Sequence, residues 1–144
     1  MKHAVCVIIE SSAGYFAVSR RNDASQWGFP GGKVDSGESH CDAVIRETIE
    51  EIGFAMKAED LVPVYSGMCE GGVGGVDYWV TTYLYTPTVL EQEFLNTVKL
   101  EEGLIGKFLS GDDMVSAAIS PFNFYNDFAL TGMDSYLCAR SRCR

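Results

Sequence analysis

The stretch GGKVDSGESHCDAVIRETIEEIGF, Gly31 to Phe54, carries two adjacent glycines, then Gly37 and Glu38, then Arg46, Glu47, Glu50 and Glu51 in close succession. On a helix, residues three and four apart stand about 5–6 Å from each other at Cβ, so Glu47, Glu50 and Glu51 gather on one side, opposite a stripe of Val44, Ile45 and Ile52. Like charges at that spacing cost tenths of a kcal/mol on an open surface, but about 3 kcal/mol per close pair at an effective dielectric of about 20. Arg46 can pair with Glu50 one turn on, yet one guanidinium does not neutralise three acids. Carboxylate oxygens without thiolates suit hard cations, so the pattern points to a divalent Mg²⁺ or Mn²⁺ site. Gly31 and Gly32 permit a close backbone approach, which makes a carbonyl there a candidate ligand, and Lys33 adds a point charge suited to phosphate oxygens. The features together describe a cation that presents a polyphosphate to water.

Those residues need elements to hold them. Ser39 followed by Asp42 is a capping-box-like helix start, and Cys41, Val44, Ile45, Thr48 and Ile52 repeat at helical spacing until Gly53 supplies a stop. His3 to Ile9 reads as an apolar strand, ESSAG as a turn and Tyr15 to Arg20 as its hairpin partner. RNDASQWGFPGGKVDSGE has too many turn formers for regular structure and reads as a loop or strained connection. Leu61 to Cys69 and Val76 to Thr86 read as strands joined by EGGVGG. Asp112 to Ala118 is a candidate short helix, and Ser120 with Pro121 opens another running to about Leu130. With no internal repeat or linker, residues 1–144 read as one α+β domain, a mixed sheet with helices packed against it.

The spacing resembles the box of the Nudix family, G-x5-E-x7-R-E-U-x-E-E-x-G-U with U aliphatic. Here it runs Gly32, Glu38, Arg46, Glu47, Thr48, Glu50, Glu51, Gly53, Phe54, with Thr48 and Phe54 as mild departures at apolar positions. The lead-in WGFPGGK, Trp27 to Lys33, resembles that of MutT-type members acting on nucleotides. The resemblance implies an α/β/α sandwich and hydrolysis, by water, of the diphosphate linkage in a nucleoside diphosphate joined to a further group X. A nucleoside triphosphate is the first choice, with ADP-ribose, dinucleoside polyphosphates and capped RNA as alternatives. A non-catalytic nucleotide-binding module is the competing class, although such a module would most readily lose a glutamate and this chain keeps them all.

Carried over residue by residue, the resemblance makes Glu47, Glu50 and Glu51 metal ligands, joined by the Gly31 carbonyl, with Arg46 orienting them and Glu38 supporting loop and metal. Relatives often supply another acid from a later loop, and LEEGLIGKF offers Glu101 or Glu102. Glu102 is preferred, because its distance to Phe108 resembles a common Glu-to-Trp spacing. It is a candidate ligand or general base, a role that Glu50 or Glu51 could take instead.

Net charge of −9 disfavours sequence-independent binding to a nucleic-acid backbone, which requires a basic surface. Free nucleotides remain open as substrates, with Arg20, Arg21 and Lys33 as the local cations. No apolar run reaches the roughly 20 residues of a membrane span, and the start does not read as a secretory signal. Five cysteines without paired metal-ligand spacing point to reduced thiols and a cytoplasmic setting.

Among aromatics, Trp27 reads as a core anchor, while Phe29, Tyr78 and Phe108 are candidates to meet a nucleoside. Asn123 could read a purine edge, against helix capping near Pro121 as the plainer role. His3 and His40 have no partner at ligand or triad spacing and read as structural or solvated; Cys41 reads as a small buried hydrophobe. A homodimer is an expectation from the family resemblance alone.

Overall fold

Ala4 to Ile9 is an unbroken apolar run, every residue of which is fully buried, as expected of a strand covered on both faces. It forms the middle of β1 (Lys2–Ser11) in a computed structural model that describes residues 2–12, 14–20, 27–69, 77–89, 91–110 and 113. The other elements are β2 (Gly14–Arg20), β3 (Gly31–Lys33), α1 (His40–Ile52), a 3-10 turn (Ala58–Asp60), β4 (Val62–Cys69), β5 (Tyr78–Tyr85), α2 (Glu91–Thr97) and β6 (Leu104–Leu109).

The strands make one mixed sheet in the order β4-β5-β1-β2-β6, with β3 also on β1. β1 runs parallel to β5, from Lys2↔Tyr78 to Ile9↔Tyr85, and the other pairings are antiparallel. The hairpin partner β2 meets β1 only at Glu10↔Tyr15 and Ser11↔Gly14, then diverges. β3 occupies the first half of the same edge, from Ala4↔Lys33 to Cys6↔Gly31. This corrects the loop reading of the lead-in: three residues of PGGK become a strand because β1 offers them unpaired backbone groups. Gly28 is stitched to the other side of the split by reciprocal 2.9 Å bonds with Val18. The segment before α1 is thereby clamped from two sides.

Val5, Val7 and Ile9 share a core with Phe16, Val18, Val44, Ile52 and Phe94, so this face of the sheet carries α1. Cys6 and Ile8 point to the opposite face, with Tyr15, Ala17 and Phe29. Period-two alternation on β1 sorts its side chains between these layers. The Cys6 thiol, 3.3 Å from the Thr82 hydroxyl, is pushed up to about 12 by burial. Its contribution to stability is therefore intact below the ordinary value of 9.0 and lost as pH rises toward 12. At pH 8 the native protein is expected to leave Cys6 unalkylated by iodoacetamide, with labelling only on denaturation, as read by peptide mass mapping; ready labelling of native protein would contradict this burial.

α1 begins and ends as its sequence signals indicate. Ser39 Oγ accepts from the Asp42 N–H at 3.1 Å, and Gly53 takes the left-handed conformation at φ 66°. The segment between α2 and β6 completes the cap: Lys99 N–H donates to Ile52 O and Glu101 N–H to Glu51 O, both at 2.7 Å. α2 and β6 add elements that the sequence reading did not separate. Most of the two later helical segments, together with Arg21 and Asn123, lies outside the described residues.

Candidate active site

Arg46 is the hub of the acidic face. Its Nε donates to Glu38 Oε2 at 2.8 Å and its Nη2 to Glu38 Oε1 at 3.0 Å, a two-point grip that ties the loop before α1 to the helix. Nη1 reaches Glu47 Oε1 at 3.0 Å and Glu50 at 3.2 and 3.3 Å, realising the expected pairing one turn on. Nη2 also donates to the Lys33 carbonyl at 3.1 Å, and Asp35 lies 3.4 Å away. The guanidinium holds the Glu38 carboxyl well below its usual range, at about 2, helped by the Asp35 N–H.

Glu47 behaves differently. Its side chain is 17% exposed, against 55% for Glu50, and burial raises its pKa although Arg46 opposes the rise. A desolvated carboxylate with Glu50 nearby gains from further positive charge. Glu51 is turned toward the lead-in, where its Oε1 accepts from the Gly31 N–H at 2.8 Å. The structure thus gathers Glu38, Glu47 and Glu50 round Arg46 and sets Glu51 against β3. Among the described residues no three acids, cysteines or histidines stand together as a ready metal cage. Arg46 Nη1 lies between two of the candidate ligands and serves as their counter-ion.

The glycines show how the site fits a cation. Val7 N–H bonds to Pro30 O and Val34 N–H to His3 O, and this alternation turns the polar groups of Gly31 away from β1, toward α1. Its N–H holds Glu51, and its carbonyl shares that outward side. A Cβ on Gly32 would stand 2.5 Å from Glu47 Cδ and 2.6 and 2.7 Å from its oxygens. The missing methyl is therefore the space in which the Glu47 carboxylate lies. An all-oxygen set of two or three carboxylates and an outward carbonyl suits Mg²⁺ or Mn²⁺.

The two glycines have opposite expected sensitivities. Alanine at 31 would overlap the Val5 carbonyl and stand 2.7 Å from Cys6 Cα, so backbone must move and at least about 3 kcal/mol of stability should be lost. Alanine at 32 meets only the end of a flexible side chain, so its melting midpoint should stay within a few degrees of wild type. Hydrolytic activity should fall about 100-fold as Glu47 is displaced. Thermal melts by circular dichroism and a product assay separate the two effects; a stable, fully active Gly32→Ala would contradict the role of that space.

Other candidates fall differently. Lys33 is exposed on β3, and Arg20 ends β2 opposite Leu104. Glu101 and Glu102 are exposed in the turn that follows the α1 cap; it is the backbone of Glu101 that touches α1. The aromatic candidates need correction as open stacking surfaces. Phe29 is 0% and Tyr78 4% exposed, whereas Phe108 is partly buried, with its ring edge-on to Phe16 and Phe94. Apolar strand partners recruit these rings because burying one contributes about 1.5–3 kcal/mol. Trp27 is half-buried against the Phe29 layer, with Lys107 Nζ 5.0 Å from its ring.

His3 and His40 correct the sequence reading more sharply. His40 Nε2 lies 3.1 Å from His3 Nδ1, and His40 Nδ1 lies 3.1 Å from the Thr81 hydroxyl. Sequence spacing gave no sign of a pair 37 positions apart, joined only when β1 and α1 meet.

The chain is similar to known proteins both in sequence and in fold. A segment of 59 residues is 36% identical to a Bacillus subtilis protein named "Putative 8-oxo-dGTP diphosphatase", covering 41% of this chain and 40% of that one. A segment of 60 residues is 35% identical to an RNA pyrophosphohydrolase of Psychrobacter cryohalolentis, covering 42% and 35%. These matches therefore span less than half the length of each relative. The fold is that of a NUDIX hydrolase from Nitrosomonas europaea, at TM-score 0.71 and 20% identity over 96% of this chain and 89% of the other. It is also that of the E. coli dihydroneopterin triphosphate pyrophosphohydrolase, at TM-score 0.67 and 19% identity over 94% of each. The NUDIX domain family model matches residues 1–113, from β1 through β6, and includes the clamped glycines and the Arg46 hub; the chain belongs to that family.

Proposed function

We propose that this chain is a divalent-metal-dependent pyrophosphohydrolase that cleaves the diphosphate linkage of a nucleoside diphosphate joined to X, with a nucleoside triphosphate as the favoured substrate. The observation that carries this reading is the Arg46 hub. It brings loop and helix carboxylates together beside a gap, at Gly32, that is shaped by the Glu47 carboxylate itself.

Glu47, Glu50 and Glu51, with the Gly31 carbonyl, would hold the cation, which when bound offsets phosphoryl charge and lowers the pKa of bound water. The chain's own residues do the positioning. Arg46 keeps Glu38 ionised and aims both Glu38 and Glu50, and Gly31 N–H orients Glu51. Lys33 offers an ammonium to phosphate oxygens. Placement and fixed charge supply most of the acceleration in phosphoryl transfer.

The relatives named for 8-oxo-dGTP and for RNA share a diphosphate as the bond at issue, and the net charge of −9 favours the free nucleotide. The test is a panel of nucleoside triphosphates, ADP-ribose, dinucleoside polyphosphates and triphosphate-ended RNA, with Mg²⁺ or Mn²⁺ and identification of products. Release of nucleoside monophosphate and pyrophosphate from a triphosphate supports the favoured substrate. Turnover confined to RNA moves the substrate class, and no turnover with any member overturns the reading.

A further inference from the structure

A cavity of about 660 Å³ opens beside the acidic site, between the start of β1, the start of β5 and the loop before α1. Its lining includes Lys2, His3, Lys33, His40 and Tyr78, together with Asp35 and Glu38. None of Glu47, Glu50 or Glu51 lines it. Both acids are held by Arg46, at 3.4 and 2.8 Å. Among the described residues neither the Lys2 nor the Lys33 ammonium has an ion-pair partner within 4.0 Å. In a chain of net charge −9, two unpaired cations therefore converge on one space.

The histidine pair ties the cavity wall into a hydrogen-bonded network. The Trp79 indole can only donate, and does so to Ser66 Oγ at 2.9 Å. The Ser66 hydroxyl lies 3.5 Å from that of Thr81, which in turn lies 3.1 Å from His40 Nδ1. His40 Nε2 lies 3.1 Å from His3 Nδ1, so this network ends on a ring that lines the cavity. We infer that this cavity is an anion subsite for a phosphate-bearing group, received by Lys2, Lys33 and the His3 ring, adjoining the carboxylate site at Lys33 and Glu38 but lined by none of Glu47, Glu50 and Glu51. The volume accommodates a phosphate with a sugar-sized substituent. The inference deepens the proposed function by adding a second phosphate position, but it requires no metal.

The two imidazoles are the only histidines of the chain, so their ring proton signals report on the cavity directly. The full chain, freed of metal with EDTA at fixed pH and ionic strength, is titrated with inorganic phosphate, and the signals are assigned with His3→Gln. Both histidines are expected to shift saturably with phosphate, and Lys2→Gln with Lys33→Gln together should weaken the apparent affinity at least 10-fold without moving the melting midpoint. Equal shifts with sodium chloride, or phosphate shifts unaltered in the double variant, overturn the subsite.

Parallel arms use a nucleoside monophosphate and a triphosphate. Tighter effects than inorganic phosphate assign the group to substrate, and equal effects assign it to free phosphate. Turnover with Mg²⁺ is measured on the same wild-type sample. Normal turnover without phosphate shifts sinks only the subsite, and phosphate shifts without turnover sink only the hydrolase reading.

Discussion

Glu50→Gln is expected to fold with an unchanged melting midpoint and to lose about 10³-fold in kcat, equivalent to about 4 kcal/mol of transition-state stabilisation. The two halves of this expectation have separate causes. Glu50 is 55% exposed and shares its only described side-chain partner, Arg46, with Glu38 and Glu47, so losing its charge should cost within about 0.5 kcal/mol of stability. On the proposed reading, the amide keeps the shape but would no longer attract a hard cation, and the charge held against phosphate would be lost with it. Stopped assays at saturating nucleotide, paired with nucleotide-binding calorimetry, check both halves. Undiminished turnover would place the essential charge on another acid.

Arg46→Lys is expected to be nearly as damaging to activity, by about 10²-fold, although it conserves charge. The planar guanidinium grips Glu38 at two points while reaching Glu47, Glu50 and the Lys33 carbonyl, and an ammonium cannot span these directions together. Stability should also fall by about 2 kcal/mol, because Glu47 is left largely desolvated with a weaker partner. The pH dependence distinguishes this cause from general damage. In wild type, Glu38 titrates at about 2 rather than 4.5, so its stabilising contribution is complete above 4.5 and is lost as pH falls through 2. With the grip loosened, Glu38 returns toward its ordinary value, and acid unfolding followed by circular dichroism should begin at a higher pH. An acid limb identical to wild type would contradict the role given to the Arg46–Glu38 pair.

What the sequence disclosed, it disclosed through local rules. The Ser39 cap, the Gly53 stop and the amphipathic repeat of α1 depend on neighbours a turn away, and the structure reproduces them. The two long hydrophobic strands and their hairpin also follow from local composition. Non-local elements were not legible. Gly31–Lys33 has the composition of a turn and becomes β3 only because β2 leaves β1 after Glu10. β6 became visible only through its pairing with β2, from Tyr15↔Leu109 to Arg20↔Leu104. The same limit governed the site. Spacing alone brought Glu47, Glu50 and Glu51 to one helix face, but it did not disclose that Arg46 would intervene between two of them or that Glu51 would turn to Gly31. Nor did aromatic composition separate Phe29 and Tyr78, which the sheet buries, from rings left open to a base.

The central claim is that these carboxylates hold a hard divalent cation against phosphate. Crystals soaked in Mn²⁺ test it directly through anomalous scattering. The account expects a peak at about 2.0–2.3 Å from oxygens of Glu47, Glu50 and Glu51 and close to the Gly31 carbonyl, with Arg46 withdrawn from Glu50. An absence of manganese there, with Arg46 still bridging Glu47 and Glu50 in protein that turns over nucleotide, would contradict it.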